Sequence, residues 1–385
     1  MAGMELGFTA GIAAIVLFGV LGQILGKATR IPSIIPLLVL GLLVGPVLGW
    51  VNPDAILGDA LFPLVSMAVG LLLFEESLKL DLSRLHGGAR RPVLGLVTTG
   101  AIVTGVGATV LARWVFGLPL DHAAVIGAIL IVSGPTVVGP MLAVIRPKQP
   151  LESVLAFEGI FIDPIGATVA LGMVNLALHD GAPHLGWTGL TGILTGVAVA
   201  LTAFASAEAL YEESGLWATT ALGVALANQP WVRLDALHEF GSHVGMLLIG
   251  SLFILLAARV DLDALLHYGP QTLVLVALLV LGLRPLAAWL ATTRTVLTRR
   301  ERGMVAWMAP RGIVAASTAS VFALQFEDKG EPFPQLIPVV FGVVLATAIV
   351  YGLTGPLVAG LLGVRSDEPE NVDEDGIPRE ISGRS

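Results

Sequence analysis

The sequence predicts an all-α polytopic membrane protein, and three observations predict it. Of its 385 residues, 55% are hydrophobic and only 13% are charged, about half the charged share of an ordinary soluble chain. Apolar runs of roughly 18 to 25 residues recur between short polar loops, the pattern of helices that cross a bilayer. Lysine and arginine gather in particular loops, as they do on the cytoplasmic side of membrane proteins.

The runs can be taken in order. Residues 1–6 lack the basic region and cleavage site of a secretory signal, so the first run, 8–26, is expected to remain as a helix closed by Lys27 and Arg30. Residues 34–50 follow, glycine-rich where helices pack closely. A third run, 61–74, ends in Glu75 and Glu76. A basic loop with Arg84, Arg90 and Arg91 leads to the fourth, 92–116. The fifth, 123–145, contains Ser133-Gly134-Pro135-Thr136 and a second proline, Pro140, and is expected to unwind there. Beyond Arg146 and Lys148 lies the run 154–178. Further runs occupy 185–205, 216–227, 244–258 and 272–290. The cluster Arg294, Arg299, Arg300, Arg302 precedes 304–326, which carries Pro310 and Arg311, and the last run is 336–362. That makes about twelve spans in one transmembrane domain, 1–364, followed by an acidic tail, 365–385, expected to be disordered.

Orientation follows from the basic loops after the first, third and fifth runs, which put the N-terminus outside. Continuing the count places the Arg294 to Arg302 cluster outside as well, against the same rule. Parity therefore fails between Leu185 and Ala227. The runs 185–205 and 216–227 are the ones in question, and a thirteenth crossing is expected to be absent or unusual there.

Composition also excludes chemistry. With no cysteine, disulfides, thiolate metal sites and cysteine nucleophiles are ruled out. A net charge of −8 argues against nucleic acid as a partner. No phosphate loop, serine elbow or zinc-binding histidine pair is present, so an enzyme is not expected, and neither is a cofactor.

The focal stretch is Glu158-Gly-Ile-Phe-Ile-Asp163-Pro164, two carboxylates inside an apolar run. A charge at bilayer depth persists where it is paired, lines water, or binds a cation or proton. Asp163 reads as a transported-ion or proton site, against the alternative of a structural ion pair. Pro164 is expected to kink the helix and free a carbonyl beside it. Glu158 lies five positions earlier, about 140° around an ideal helix, so the two carboxylates belong to different faces. Arg311 is taken as the arginine deep in an apolar span, with Glu158 as its counter-charge, direct ion binding by Glu158 being the alternative. Residues 133–136 offer carbonyl and hydroxyl oxygens near Asp163, or form a simple proline kink. Glu75 and Glu76 read either as functional or as a solvated helix end.

Several of these motifs together resemble one family. Phe157-Glu-Gly-Ile-Phe-Ile-Asp163-Pro-Ile-Gly-Ala is similar to the acidic core helix of NhaP-type sodium/proton antiporters, in the monovalent cation/proton antiporter superfamily. Residues 133–141 resemble their unwound crossing helix, and Met308-Ala-Pro-Arg311-Gly-Ile-Val their arginine helix. The resemblance spans about residues 11–362. It implies two inverted repeats, crossed broken helices with breaks at Pro135, Pro140, Pro164 and Pro310, and a core of helices from about 92–178 and 303–362, with the other helices serving dimerisation. It also implies that Asp163 is the ion-binding aspartate, that Glu158 and Arg311 form a structural pair, and that Ser133, Gly134, Thr136 and Glu75 surround the ion. Gly159, Gly134 and Ile162 depart from the family's usual serine, aspartate and asparagine, and these departures bear on selectivity.

The function implied is exchange of Na+, K+ or Li+ for H+ in pH homeostasis, by a homodimer in the inner cell membrane. Proton and cation would compete for the oxygens of Asp163, and one titrating carboxylate predicts one-for-one, electroneutral exchange. The alternative is a cation channel or uniporter, which needs a continuous polar pore, often ringed by repeated ligands. A non-transporting membrane scaffold is the third reading.

Overall fold

A computed structural model of the protein describes residues 7–29, 31–78, 88–178, 214–228 and 235–366. Among these the chain is helical, with no strand beyond an isolated bridge between Pro147 and Arg365. The helices are α1 (Phe8–Thr29), α2 (Ile34–Val47), α3 (Pro53–Leu57), α4 (Leu61–Leu78), α5 (Arg90–Phe116), α6 (Leu120–Ile129), α7 (Pro135–Ile145), α8 (Leu151–Leu178), α9 (Ser214–Ala227), α10 (Asp235–Ala258), α11 (Leu262–Thr292), α12 (Arg299–Trp307), α13 (Ile313–Asp328) and α14 (Leu336–Leu362). Five of them, α1, α5, α8, α11 and α14, are long and apolar enough to cross a membrane by themselves.

Local chemistry sets the ends. Asn52 caps α3 and Asp261 caps α11 by accepting backbone N–H groups. Thr298 and Glu301 form a capping box at the start of α12. Gly117 and Gly363, both left-handed, close α5 and α14.

Two elements are broken in mid-course. The first consists of α6 and α7, separated by residues 130–134, and the second of α12 and α13, separated by residues 308–312. The second break falls at Pro310, as expected. The first lies upstream of its expected place, because Pro135 occupies the first turn of α7, where its missing N–H costs nothing. Pro140 and Pro164 are not breaks. Each is absorbed inside a continuous helix, α7 and α8 respectively. One proline removes one backbone bond, and the neighbours of a tightly packed membrane helix can compensate for that loss.

The halves repeat with inverted direction. In the order long helix, broken helix, long helix, α5 to α8 match α11 to α14. A Cβ added at Gly95 would meet Ala291, and one at Gly107 would meet Leu283, so α5 and α11 run antiparallel. The packing is reciprocal: α7 lies on α14, while α13 lies on α8. Beside this core, α1, α2 and α10 pack together and α4 packs on α9.

The basic loops share one side. Gly88 abuts Val296, Lys148 bonds to Val364, and Gly363 abuts Arg300. The Arg294 to Arg302 cluster therefore sits with Arg146 and Lys148, and the helix count, not the charge rule, was in error. Gly70 meets Thr219 and Gly223 meets Ser77, so α9 runs parallel to α4. The run 185–205 lies outside the described residues, as does the tail from residue 367. Arg365 and Ser366, assigned to a disordered tail, are instead bonded to the loop between α7 and α8.

Candidate functional site: a buried carboxylate beside two crossed breaks

Asp163 sits in the middle of α8 with no exposed surface. Neither of its carboxylate oxygens has a hydrogen-bond partner. Its neighbours along the helix locate it. Ile162 packs with Ile131 and Ala101, and Gly166 lies against Val132. A Cβ on Gly166 would stand 2.4 Å from Val132 Cγ2 and 3.2 Å from the Val132 nitrogen, so a side chain here would push α8 or Val132 away from the first break.

That break offers backbone oxygens because a helix end leaves its last carbonyls without intrahelical donors. Two of them are taken by the second break. Arg311 Nη1 donates to the Val132 oxygen at 3.0 Å and to the Ile131 oxygen at 3.4 Å. Its own backbone N–H donates to Thr347 Oγ1 on α14, at 3.2 Å. Arg311 lies within electrostatic reach of both Asp163 and Glu158 but bonds to neither. A cation placed at the C-terminal end of α6 also suits the negative end of that helix.

Glu158 has a different partner from the one expected. Arg284, on α11, meets it with two parallel bonds, Nη1 to Oε1 at 2.5 Å and Nη2 to Oε2 at 2.9 Å. Arg284 Nε donates to the Val305 oxygen of α12 at 2.9 Å, which anchors the pair to the second broken element. Both residues are buried. The pairing of Glu158 with Arg311 is thus replaced by Glu158 with Arg284, because the Arg284 guanidinium reaches Glu158 from α11 while that of Arg311 is held by the carbonyls of the first break. Arg311 is accordingly not the lone buried arginine. The signal was available: Arg284-Pro285 interrupts an otherwise apolar run. The five-residue spacing did separate the roles of the two carboxylates, one paired and one bare.

Ser133 is buried within the first break, and Gly134 is the N-cap of α7, followed by Pro135 and Thr136 in its first turn. Ser133 follows directly on Val132, the residue that lies against Gly166 of α8. Glu75 is buried on α4, with Oε2 3.1 Å from where a Cβ on Gly245 of α10 would lie. It has no hydrogen bond to Asp163. Glu76 faces α7 at Gly139. Glu75 is therefore not a solvated helix end, and Glu76 is half-buried. Among the described residues no cluster of three or more histidine, aspartate and glutamate side chains is arranged to hold a metal ion.

The model of one protein family, described as sodium/hydrogen exchanger, transmembrane, matches residues 12–199 and 188–360, well over half of the chain. The chain belongs to this exchanger family. The two matched pieces overlap at 188–199, in the stretch where the helix count went astray. The NhaP resemblance read from the motifs is thereby supported. The Na+/H+ antiporter ApNhaP of Aphanothece halophytica is 24% identical to the exchanger chain over 323 residues, covering 72% of it and 61% of the relative. The chain thus spans about three fifths of that relative's length. The sodium proton antiporter MjNhaP1 of Methanocaldococcus jannaschii, in a structure at pH 8, superposes with a TM-score of 0.76 at 20% identity, over 92% of this chain and 99% of that one. An electron-microscopy structure of MjNhaP1 gives 0.74 at 20% identity, over 93% and 98%. The exchanger chain has the antiporter fold.

Proposed function

We propose that this chain exchanges a monovalent cation, Na+ first among Na+, K+ and Li+, for a proton, using Asp163 as the shared site. The observation that carries this is the pair of unpartnered, fully buried oxygens on Asp163 beside an unwound segment. A bare carboxylate in a dry core is costly. A proton or a small cation relieves that cost, and each excludes the other. Ser133, Gly134 and Thr136 supply oxygens around the cation, and Glu75 lies further out on α4. Membership of the exchanger family and likeness to the named antiporters support the same reading.

Charge bookkeeping favours one-for-one exchange. Among the described residues the buried charged groups are two arginines, 284 and 311, and three carboxylates, 75, 158 and 163. Loading Asp163 with one proton or with one monovalent cation changes their total charge by the same single unit, so the two halves of the cycle move equal charge in opposite directions. The empty form is held back by the cost of an unpaired buried carboxylate. We take the protein to work as a homodimer in the inner cell membrane, with the helices outside the core forming the dimer contact.

Proteoliposomes with an internal acid load and a pH-sensitive dye test this. One of the three cations dissipates the gradient in the parent protein and fails to do so in Asp163→Asn. Exchange by Asp163→Asn at the parental rate would refute the assignment of the site.

A further inference from the structure

Over its 27 residues α14 carries polar side chains at three positions, Thr347, Tyr351 and Thr354. Spaced i, i+4 and i+7, the three share one face of the helix. Polar groups at membrane depth are kept where they have partners or line a site. Here the face they form is turned to the second break, residues 308–312.

Both flanks of that break are tied to this face. After the break, the Arg311 N–H donates to Thr347 Oγ1 at 3.2 Å. Before it, Trp307, the last residue of α12, donates from Nε1 to Thr354 Oγ1 at 3.1 Å. Tyr351 stands between the two threonines in sequence and is fully buried. Its ring is edge-on to that of Trp307, at 6.2 Å and 87°, and it lies within electrostatic reach of Arg284 and Arg311. One turn further on, a Cβ on Gly355 would stand 3.7 Å from Met308 Cε, in the break itself, and 3.0 Å from Ile145 Cδ1 at the end of α7.

A threonine suits this task. Thr347 Oγ1 donates to the Val343 oxygen at 2.8 Å, and Thr354 Oγ1 donates to the Val350 oxygen, so each hydroxyl proton is used within α14. The lone pairs that remain can accept a donor from outside the helix. Arg311 has such a donor, because the N–H groups around a helix start lack intrahelical acceptors.

We propose that Thr347 and Thr354 are positioning residues for the cation site. They fix both flanks of the second break on α14, and so set where the Arg311 guanidinium meets the Ile131 and Val132 oxygens. That contact in turn decides which oxygens of the first break are left for a cation beside Asp163. Neither threonine touches the ion. Their role rests on the antiporter reading of Asp163.

Replacing threonine by valine keeps the shape and removes the acceptor, whereas serine keeps the hydroxyl. Exchange is measured in proteoliposomes against cation concentration for Thr347→Val, Thr354→Val, Trp307→Phe and the two serine variants, with thermal unfolding recorded for each. The valine variants and Trp307→Phe need about tenfold more cation for half-maximal exchange, and the serine variants stay close to the parent. Trp307→Phe combined with Thr354→Val is no worse than either alone, because both remove the same bond. Half-saturation at the parental concentration in the valine variants overturns the positioning, even if their unfolding temperature falls, since the threonines then serve stability alone. Serine variants as impaired as the valine ones overturn it too, as do additive effects at Trp307 and Thr354. If Thr347→Val does not fold, the comparison at Trp307 and Thr354, both half-buried, decides by itself. A parent that exchanges no cation overturns the antiporter reading and this role with it. A working parent with indifferent variants overturns the positioning alone.

Discussion

Arg311 donates to the carbonyl oxygen of Val132 across 3.0 Å, and through that contact the second broken helix holds the end of the first. The two breaks are therefore one unit. Removing the guanidinium leaves buried carbonyls without donors, a cost of about 1–3 kcal/mol for each group. Arg311→Met is expected to lower thermal stability in detergent and to abolish exchange. Arg311→Lys, which keeps the charge but offers a point donor in place of a fork, regains more stability than rate. Equal recovery of both would show that charge alone matters at this position.

Glu158 and Arg284 are expected to behave as a couple. Removing either one strands the other in the core, at about 3–5 kcal/mol. Replacing both with apolar side chains of similar size, as in Glu158→Leu with Arg284→Met, returns much of that loss. Thermal unfolding of the two single variants and the double variant gives the coupling energy. A parallel cycle on Glu158 and Arg311 should give a smaller one. The reverse order would mean that Glu158 belongs to Arg311 after all.

Much of the fold was legible because membrane helices declare themselves by length and apolarity. The breaks were legible from Ser133-Gly134-Pro135 and Pro310-Arg311-Gly312. Their exact positions were not, since a proline that starts a helix and one that interrupts it look alike in sequence. Pro135 proved to be the first kind, whereas Pro140 and Pro164 are carried within intact helices. Asp163 was recognisable as a charge with no neighbour in sequence to neutralise it. The partner of Glu158 was not, because choosing between Arg284 and Arg311 requires knowing which guanidinium reaches it in three dimensions. Parity failed for a similar reason: the direction of α9 is fixed by its contact with α4, which no run of residues reveals.

Gly166→Ala tests the close approach of α8 to the first break. The added methyl meets Val132, backbone included, and overpacking of this kind costs about 1–3 kcal/mol. Trimming the neighbour with Val132→Ala should restore part of the stability, because the side-chain share of the clash is removed while the backbone share remains. If Gly166→Ala unfolds at the parental temperature, α8 and the break are not in contact as described.

Ile162→Asn introduces the residue type that the resemblance leads one to expect. Here Ile162 is enclosed by Ala101, Ile131 and Val169, and an amide placed among them lacks partners, at about 1–3 kcal/mol. The variant is expected to be less stable without a gain in exchange rate. A stable and faster Ile162→Asn would mean that the pocket contains polar groups within reach of the new side chain.

Voltage offers a test of the charge symmetry. If one proton is exchanged for one monovalent cation, no net transport current accompanies exchange in proteoliposomes, and an imposed membrane potential does not by itself drive cation uptake or release. A net current, or cation movement driven by the potential alone, would require unequal charge in the two half-cycles, and hence a second titrating group besides Asp163.

The most direct measurement is proton release on cation addition, made with purified protein in a weakly buffered solution. With Asp163 protonated at the start, adding the transported cation should release about one proton per chain, and Asp163→Asn should release none. Cation binding without proton release by the parent, or equal release by Asp163→Asn, would contradict the sharing of one carboxylate between the two ions.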